Sequence, residues 1–547
     1  MLRASSVPAD RSGKGDSMNP FALMPLLLAA QPAAGPLAPS LIEQGTSAPQ
    51  PEPPKPAPPP SQDALIDVDA GETGAPIQRI EFLGAEAPEP VAQAARGFIG
   101  QNASRETLGS LAKAISDAYA RSGIALYTVA IPQQDLSTGL VRVRLAEGFI
   151  EDIVYPEGTS PLVRAYAERL KAEQPLTRRS LERYLTLMRD IPGAKIDVSL
   201  LRGKQAGGVN LSITPRRERS DFSFGFDNRT QRSLGNGQWR AGAQGYSLLR
   251  DGDRTDLTLL AAADLKRYRY AGLSHQTPIG SDGLALGISA SLLETRFKGQ
   301  PISGEAKTAG VTLSYPIIRG YKRNLFVSAG FDGLNSDAAL LGSVISSDHI
   351  RVARGAVSYS ATGKRDSLSM SLLASKGFDA LGARATAGFS DATFFRLTGR
   401  MGYDRVFGKR IVGRLRMVGQ YSGDRLPGSE RLAVGGPEFG RAFETALLSG
   451  DRGAAASLEV AVRPSLPQKL NGSEVYGFVD GARIKVLART GFLGARYDLA
   501  SAGGGVRLNY ATRASVFVEG ARTIDAPYAG LEKAWRINVG WHLKLRQ

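Results

Sequence analysis

The 547-residue chain contains no cysteine, which excludes a disulfide scaffold and any Cys-ligated zinc or iron–sulfur site. Histidine is scarce: His275, His349 and His542 stand far apart and in no ligand spacing. No apolar run reaches the roughly 18 residues that a transmembrane helix needs. A phosphate-binding G-x-x-x-x-G-K-[ST] loop is missing, since Gly299 to Gly304 is followed by Glu305 rather than lysine. The stretch Gly435–Gly440 could cradle a phosphate, but no strand–helix frame surrounds it. A Ser-His-Asp hydrolase would need one of the isolated histidines, and no nucleophile elbow occurs. The chain is therefore expected not to be an enzyme and to hold neither cofactor nor metal. What remains is a soluble basic protein or a membrane β-barrel, the one spanning structure open to a chain without apolar helices.

The chain is rich in glycine, 63 residues, and in positive charge, with 68 Lys+Arg against 52 Asp+Glu and a net charge of +16. The basic residues alternate along strand-like segments instead of clustering. That suits a polar lumen better than nucleic acid, and no nucleic-acid partner is expected. Near the N-terminus, residues 18–34 (MNPFALMPLLLAAQPAA) place a short apolar core after Arg11 and Lys14 and before small residues. This is the form of a secretory signal peptide, assigned to residues 1–34. Eight of the twelve residues Pro49–Pro60 are proline. Proline fixes φ and removes a donor, so residues 35–75 are expected to be an extended spacer.

Two small α/β modules follow, expected at 76–148 and 149–218. In the first, Ile77–Gly84 reads as a strand. Leu108, Leu111, Ala112, Ile115 and Tyr119 fall at helical spacing within Ser104–Ser122, and Thr128–Ile131 and Leu140–Leu145 read as two further strands. The turn between those two carries Pro132, Gln133, Gln134, Asp135, Leu136 and Gly139. In the second module, Phe149–Tyr155, Ile196–Leu201 and Gly208–Thr214 read as strands, with helices over Leu162–Lys171 and Thr177–Arg189. Neither module carries convergent titratable groups.

Residues 219–547 are expected to form a membrane all-β barrel of about 16 antiparallel strands. In Phe394–Arg405, Phe395, Leu397 and Met401 face one way, while Arg396, Thr398 and Arg400 face the other. In Arg410–Gln420, Ile411, Leu415 and Met417 oppose Arg414 and Arg416. The last segment alternates Trp535, Ile537, Val539, Trp541, Leu543 and Leu545. Alternation alone also fits a soluble sandwich. Arginine and aspartate on the polar face, segments long enough to cross a bilayer, and tight turns alternating with long loops favour the membrane barrel. The tight turns fall at Asp251-Gly252, Asp282-Gly283, Gly408-Lys409 and Asn471-Gly472, and two strands are expected to begin near His349 and Ala387. One connection, 423–453, is too long for a simple barrel turn and is expected to be functional.

Several stretches resemble the TpsB transporters of two-partner secretion, the haemolysin- and haemagglutinin-exporting members of the BamA-type barrel superfamily. Leu426–Gly436 (LPGSERLAVGG) is similar to the family's entry into its sixth extracellular loop. Gly440-Arg441-Ala442-Phe443 stands where the family has V-R-G-Y/F at the loop tip. Ser449–Val460 resembles the G-D-x-G…E-L return, and Tyr476–Ile484 resembles the F-x-D-x-G strand motif. Tyr119–Gly139 is similar to the family's first POTRA module, and Phe224–Gly235 to its first barrel strand. The chain departs from the pattern at Gly440, Ala442 and Gly481, and in ending on Arg546-Gln547 rather than on an aromatic residue.

Strand parity puts Tyr476, Phe478 and Asp480 on one face, and a carboxylate facing lipid is costly, so that face is expected to be luminal. The residues alone leave Arg441 open as a solvated loop residue. The resemblance implies that it clamps Asp480, with Gly440, Phe443 and Phe478 around the pair and a bidentate guanidinium–carboxylate contact as the expected geometry. It also implies two POTRA modules in the periplasm, a barrel in the bacterial outer membrane, and a partner-binding role for the Pro132–Gly139 turn. The implied function is export of a large, β-helical partner exoprotein without nucleotide hydrolysis. Outer-membrane lipids and the barrel-assembly machinery would be further partners. A barrel-assembly factor of the same superfamily and a passive porin-like channel are the alternatives; two modules and the LPGSE-like loop entry weigh against the first, and the N-terminal modules against the second.

Overall fold

A computed structural model describes residues 65–66 and 75–546, apart from 342 and 532. The signal region expected at 1–34, and all of the expected spacer except residues 65, 66 and 75, lie outside the described residues. The strands in chain order begin with β1 (Leu65–Ile66), β2 (Arg79–Gly84), β3 (Tyr127–Ile131) and β4 (Leu140–Glu147), which form one sheet in the order β1-β3-β4-β2. Helices α1 (Glu89–Arg96) and α2 (Arg105–Ser122) pack on it. Ser104 caps α2 by accepting from the Thr107 N–H, and Gly123, at φ 90°, ends it in the left-handed region that glycine enters freely. The expected apolar stripe Leu108, Leu111, Ala112, Ile115 and Tyr119 is the buried face of α2. Helix α1 is not legible in the sequence, because its buried face consists of Val91 and Ala95 alone.

The second module carries β5 (Phe149–Val154), α3 (Pro161–Lys171), α4 (Arg178–Asp190), β6 (Ala194–Arg202) and β7 (Gly208–Arg217), with sheet order β5-β7-β6. Ser160 and Thr177 cap the two helices through the N–H groups of Val163 and Ser180. This module docks on the turns at the near end of the barrel. Arg183 of α4 donates to the Asp282 carboxylate at 2.9 Å and to the Pro316 carbonyl at 2.8 Å. Arg319 forks onto Asp190, and the Asp251 carboxylate accepts the Leu162 N–H at 3.0 Å, at the start of α3. The turn glycines Gly252 and Gly283 have φ 79° and 89°, and a Cβ there would meet Leu162 and Leu187 side chains at 2.6 and 2.9 Å. Glycine is needed both for the turn and for the close approach of the module.

The barrel strands are β8 (Ser220–Asp227), β9 (Gln238–Tyr246), β10 (Arg254–Ala262), β11 (Tyr268–Ile279), β12 (Leu284–Arg296), β13 (Ile302–Arg319), β14 (Arg323–Leu340) and β15 (Ser343–Thr362). They continue with β16 (Asp366–Gly377), β17 (Phe395–Phe407) and β18 (Ile411–Ser422). A two-stranded hairpin, β19 (Leu432–Val434) and β20 (Leu448–Gly450), lies in the long connection, and β21 (Arg452–Val462), β22 (Glu474–Val486), β23 (Ala495–Tyr510), β24 (Ala514–Asp525) and β25 (Trp535–Arg546) complete the wall. Sixteen antiparallel strands close through the pairing of β25 with β8. Outward positions such as Leu257, Leu273, Val311, Leu458, Val479 and Ile537 are exposed and apolar, the band that faces lipid.

Two strand starts differ from expectation. β15 begins at Ser343 rather than near His349, because β14 and β15 pair far beyond the 9–11 residues a tilted strand needs to cross. β17 begins at Phe395 rather than near Ala387, because Thr386 and Ser390 fold inward onto the Asp348 carboxylate and leave the ladder.

Candidate functional site: the loop inside the lumen

Residues 423–451 leave β18 and return through β21 as a folded insertion in the lumen. Leu432, Val434, Phe439, Phe443 and Leu448 pack against Val418, Ala455, Ile484 and Leu499 of the inner wall. Three charged residues of the loop hold it there.

At the entrance, Glu430 is buried between two arginines of the wall. Arg354 meets it at 2.7 and 3.0 Å, and Arg396 stands 3.2 Å from its carboxylate. Arg354 also forks onto Asp332 at 2.6 and 2.9 Å. The Glu430 carbonyl accepts from Arg396 and Gln420. At the exit, Asp451 accepts the Leu426 and Leu487 N–H groups, each at 2.8 Å, and the Arg489 guanidinium at 2.9 Å. One carboxylate thus ties the two ends of the loop to the connection after β22.

At the tip, Gly440, Arg441, Phe478 and Asp480 come together, whereas the expected Phe443 packs into the apolar cluster with Val418, Ala455, Ile484 and Leu499, and Ala442 is the loop residue against Tyr476 and Phe478. The expected bidentate contact between the Arg441 and Asp480 side chains is not what holds them. Arg441 Nε stands 3.8 Å from Asp480, while one guanidinium nitrogen donates to Glu459 at 2.9 Å and to Glu519 at 3.2 Å. The guanidinium lies over the Phe478 ring, 4.2 Å from its centroid. Asp480 accepts the Gly440 N–H at 2.8 Å, the Arg441 N–H at 3.4 Å and the Ser501 hydroxyl at 2.6 Å. The cause is geometric: the loop arrives backbone-first over Asp480, so the Arg441 side chain runs on to the next carboxylates. Gly440 accounts for the departure from a valine at this position. Its φ is +84°, and an added Cβ would sit 3.0 Å from Leu499 and 3.1 Å from the Gly435 Cα.

Sequence reasoning missed the carboxylates that hold the cation. Glu459 also receives Arg507 through two contacts of 2.7 Å and Arg414 at 2.8 Å, and Arg414 continues to Glu474. Glu519 collects the Tyr476 hydroxyl at 2.9 Å, Arg229 at 2.9 Å and Asn538 at 3.2 Å. The signal was present as charges on luminal strand positions, but parity cannot say which of these a distant loop reaches. Through Asn538, which donates to the Arg441 carbonyl at 3.1 Å, and Thr445, which donates to the Arg229 carbonyl at 2.6 Å, the loop also touches both sides of the closing β25–β8 seam. Outside that seam, Phe224, Phe226, Trp239 and Trp541 form an aromatic cluster with ring centroids 4.7–6.2 Å apart.

The module-one turn is largely braced by its own chain. Gln134 pairs with the Arg142 N–H at 2.7 Å and the Arg142 carbonyl at 2.9 Å. Asp135 accepts the Ser137 N–H, which holds its carboxyl below the usual range. Gly139, at φ 69°, sits where a Cβ would meet the Pro76 carbonyl at 2.5 Å, and Leu136 packs against the module core. Gln133 and Asp135 are exposed, while Pro132, Gln134 and Leu136 are half-buried.

Residues 207–508 match the family model described as haemolysin secretion/activation protein ShlB/FhaC/HecB, and residues 75–148 match that of the ShlB-type POTRA domain. Among curated relatives, the heme/hemopexin transporter protein HuxB of Haemophilus influenzae is 25% identical over 276 residues, 48% of each chain. The outer membrane transporter CdiB of Dickeya dadantii is 23% identical over 378 residues, 65% of this chain and 66% of that one. The matched region spans about half the length of the HuxB relative. Among solved structures, CdiB from Escherichia coli shares the fold with a TM-score of 0.72 at 16% identity, covering 92% of this chain and 94% of that one.

Proposed function

Because this chain belongs to the haemolysin secretion/activation family of ShlB, FhaC and HecB, we propose that it exports a large partner exoprotein through its barrel by two-partner secretion, without nucleotide hydrolysis. The barrel stands in the outer membrane, with the POTRA modules in the periplasm. The observation that carries the proposal is the latched loop. Three buried charges, Glu430, Arg441 and Asp451, hold it across the lumen, and two α/β modules stand at the near end. A passive porin has no use for such modules, and two of them are few for a barrel-assembly factor.

The partner is a β-helical exoprotein whose unfolded N-terminal region the first module captures, in part through the Pro132–Gly139 turn. Strand addition at a sheet edge supplies main-chain hydrogen bonds without demanding a fixed sequence. Folding of the partner outside the cell supplies the free energy. Outer-membrane lipids surround the wall, and the barrel-assembly machinery inserts it. Deleting Ile77–Glu147 is expected to leave a heat-modifiable barrel in the membrane and to abolish export. Normal export without this segment would refute capture by the first module.

Topology offers a second check, because the chain has no native cysteine. A cysteine replacing Leu493, 88% exposed in the β22–β23 connection, is expected to react with an impermeant maleimide on intact cells. One replacing Leu201, 54% exposed on β6, is expected to react only after the outer membrane is opened. The reverse pattern would invert the orientation.

A further inference from the structure

The first module's sheet contains a strand from outside the module's own β-α-α-β-β run. β1, Leu65–Ile66, comes from the stretch that follows the proline-rich residues 49–60. It runs parallel to β3, with Leu65 opposite Ala130 and Ile66 opposite Ile131. Its hold is short. By contrast β2, the strand at the sheet's other edge, pairs with β4 from Arg79–Leu140 through Gly84–Leu145.

Without β1, β3 would be an edge of the sheet, and an open edge is a template for any extended chain. The β3 edge lies beside α2: the Tyr127 ring stacks on Tyr119 at 4.9 Å, and its hydroxyl donates to the Ser116 carbonyl at 3.0 Å. The next strand, β4, exposes Arg142 and Arg144; Arg142 pairs with Glu81 of β2 at 3.2 Å, while Arg144 stands opposite Ala130 in the register, next to the β3 edge. The sequence around β1, Asp63-Ala64-Leu65-Ile66-Asp67-Val68-Asp69, is acidic and turns into an apolar/acidic alternation. That composition complements the Arg144 guanidinium beside the β3 edge.

We propose that Leu65–Ile66 is the resident occupant of the β3 edge, and that the exported protein enters by displacing it with an extended strand of its own in which apolar and acidic residues alternate. This rests on the capture reading above and adds to it the edge, the competing segment and the chemistry of the incoming strand. A competitor tethered through a short linker acts at roughly millimolar local concentration. It therefore keeps the edge closed to casual peptides, yet two residue pairs yield to a longer strand.

The probe is a fluorescein-labelled peptide of residues 61–70 (SQDALIDVDA), titrated by anisotropy into the full chain in detergent micelles. Ile66→Pro, whose ring fixes φ and is poorly tolerated in a strand, is expected to empty the edge. That variant is expected to bind the peptide about tenfold or more tightly than the wild type, as loss of a tethered competitor requires. A Leu65→Cys/Ala130→Cys chain, bridged by oxidation, is expected to bind none until dithiothreitol opens the bridge. Retained heat-modifiability shows that each variant folds. Equal peptide affinity for the wild-type and Ile66→Pro chains would overturn the proposal. In cells, where the periplasm keeps the bridge oxidised, the locked chain is expected to lose most of its export. Export at the wild-type rate by the locked chain would also overturn displacement, while capture by the first module would still stand or fall on the Ile77–Glu147 deletion.

Discussion

Arg441→Ala is expected to abolish export while the barrel still assembles. The guanidinium is buried among Glu459 at 2.9 Å, Glu519 at 3.2 Å and Asp480 at 3.8 Å. Removing one partner of a buried ion pair costs about 3–5 kcal/mol when the other is stranded. Here Arg507 still serves Glu459 and Arg229 still serves Glu519, so the loss falls toward the lower end and on the loop rather than on the wall. Sixteen paired strands do not depend on that contact. Arg441→Lys is expected to recover only part of the export, since an ammonium loses the planar face over Phe478 and holds fewer fixed donors.

Because Asp480 acts mainly on the Gly440 and Arg441 backbone, Asp480→Asn should be milder than Asp480→Ala: the amide oxygen still accepts an N–H. In double-mutant cycles on export, Arg441 should couple more strongly to Glu519 and Glu459 than to Asp480. Protease cleavage within residues 423–453 on intact cells would report unlatching. A fully active Arg441→Ala chain, or coupling confined to Asp480, would refute this account of the tip.

Glu430→Ala is expected to cause the largest fall in barrel stability of any single loop substitution. It strands Arg396 and removes one of the two carboxylates on Arg354, both buried in the wall. An unpaired buried cation costs about 3–5 kcal/mol, reduced to the extent that lumen water reaches it. The measurement is the temperature at which the folded barrel loses its heat-modifiable mobility. Glu430→Gln, which keeps the shape and an acceptor, should fall between the two. Adding Arg396→Met to Glu430→Ala should recover stability, because the orphan charge goes with it. Unfolding of Glu430→Ala at the wild-type temperature would show that the entrance pair does not hold the loop.

The strand count, the two modules and the inward face of most barrel strands were legible in the sequence, because these features are local. A strand alternates with period two, so Tyr476, Phe478 and Asp480 declare a common face wherever the strand lies, and the alternation from Trp535 to Leu545 declares the lipid side. Turn chemistry is equally local, as at Gly252 and Gly283. Helix α1 escaped because two small buried residues make no period.

What the tertiary structure alone decided is pairing at a distance. Which carboxylates Arg441 reaches depends on how the loop enters the lumen and on which strands stand next to one another around the wall. Glu459 and Glu519 are 18 and 78 residues from Arg441 in sequence, and Glu430 reaches back 76 residues to Arg354. The same holds for the Leu65–Ile66 strand, whose partner on β3 lies beyond two intervening helices. Sequence pattern fixes which face a residue takes, because that follows from backbone geometry within one strand. It cannot say which residue comes to stand opposite, because that is set only when the barrel closes and the loop packs inside it.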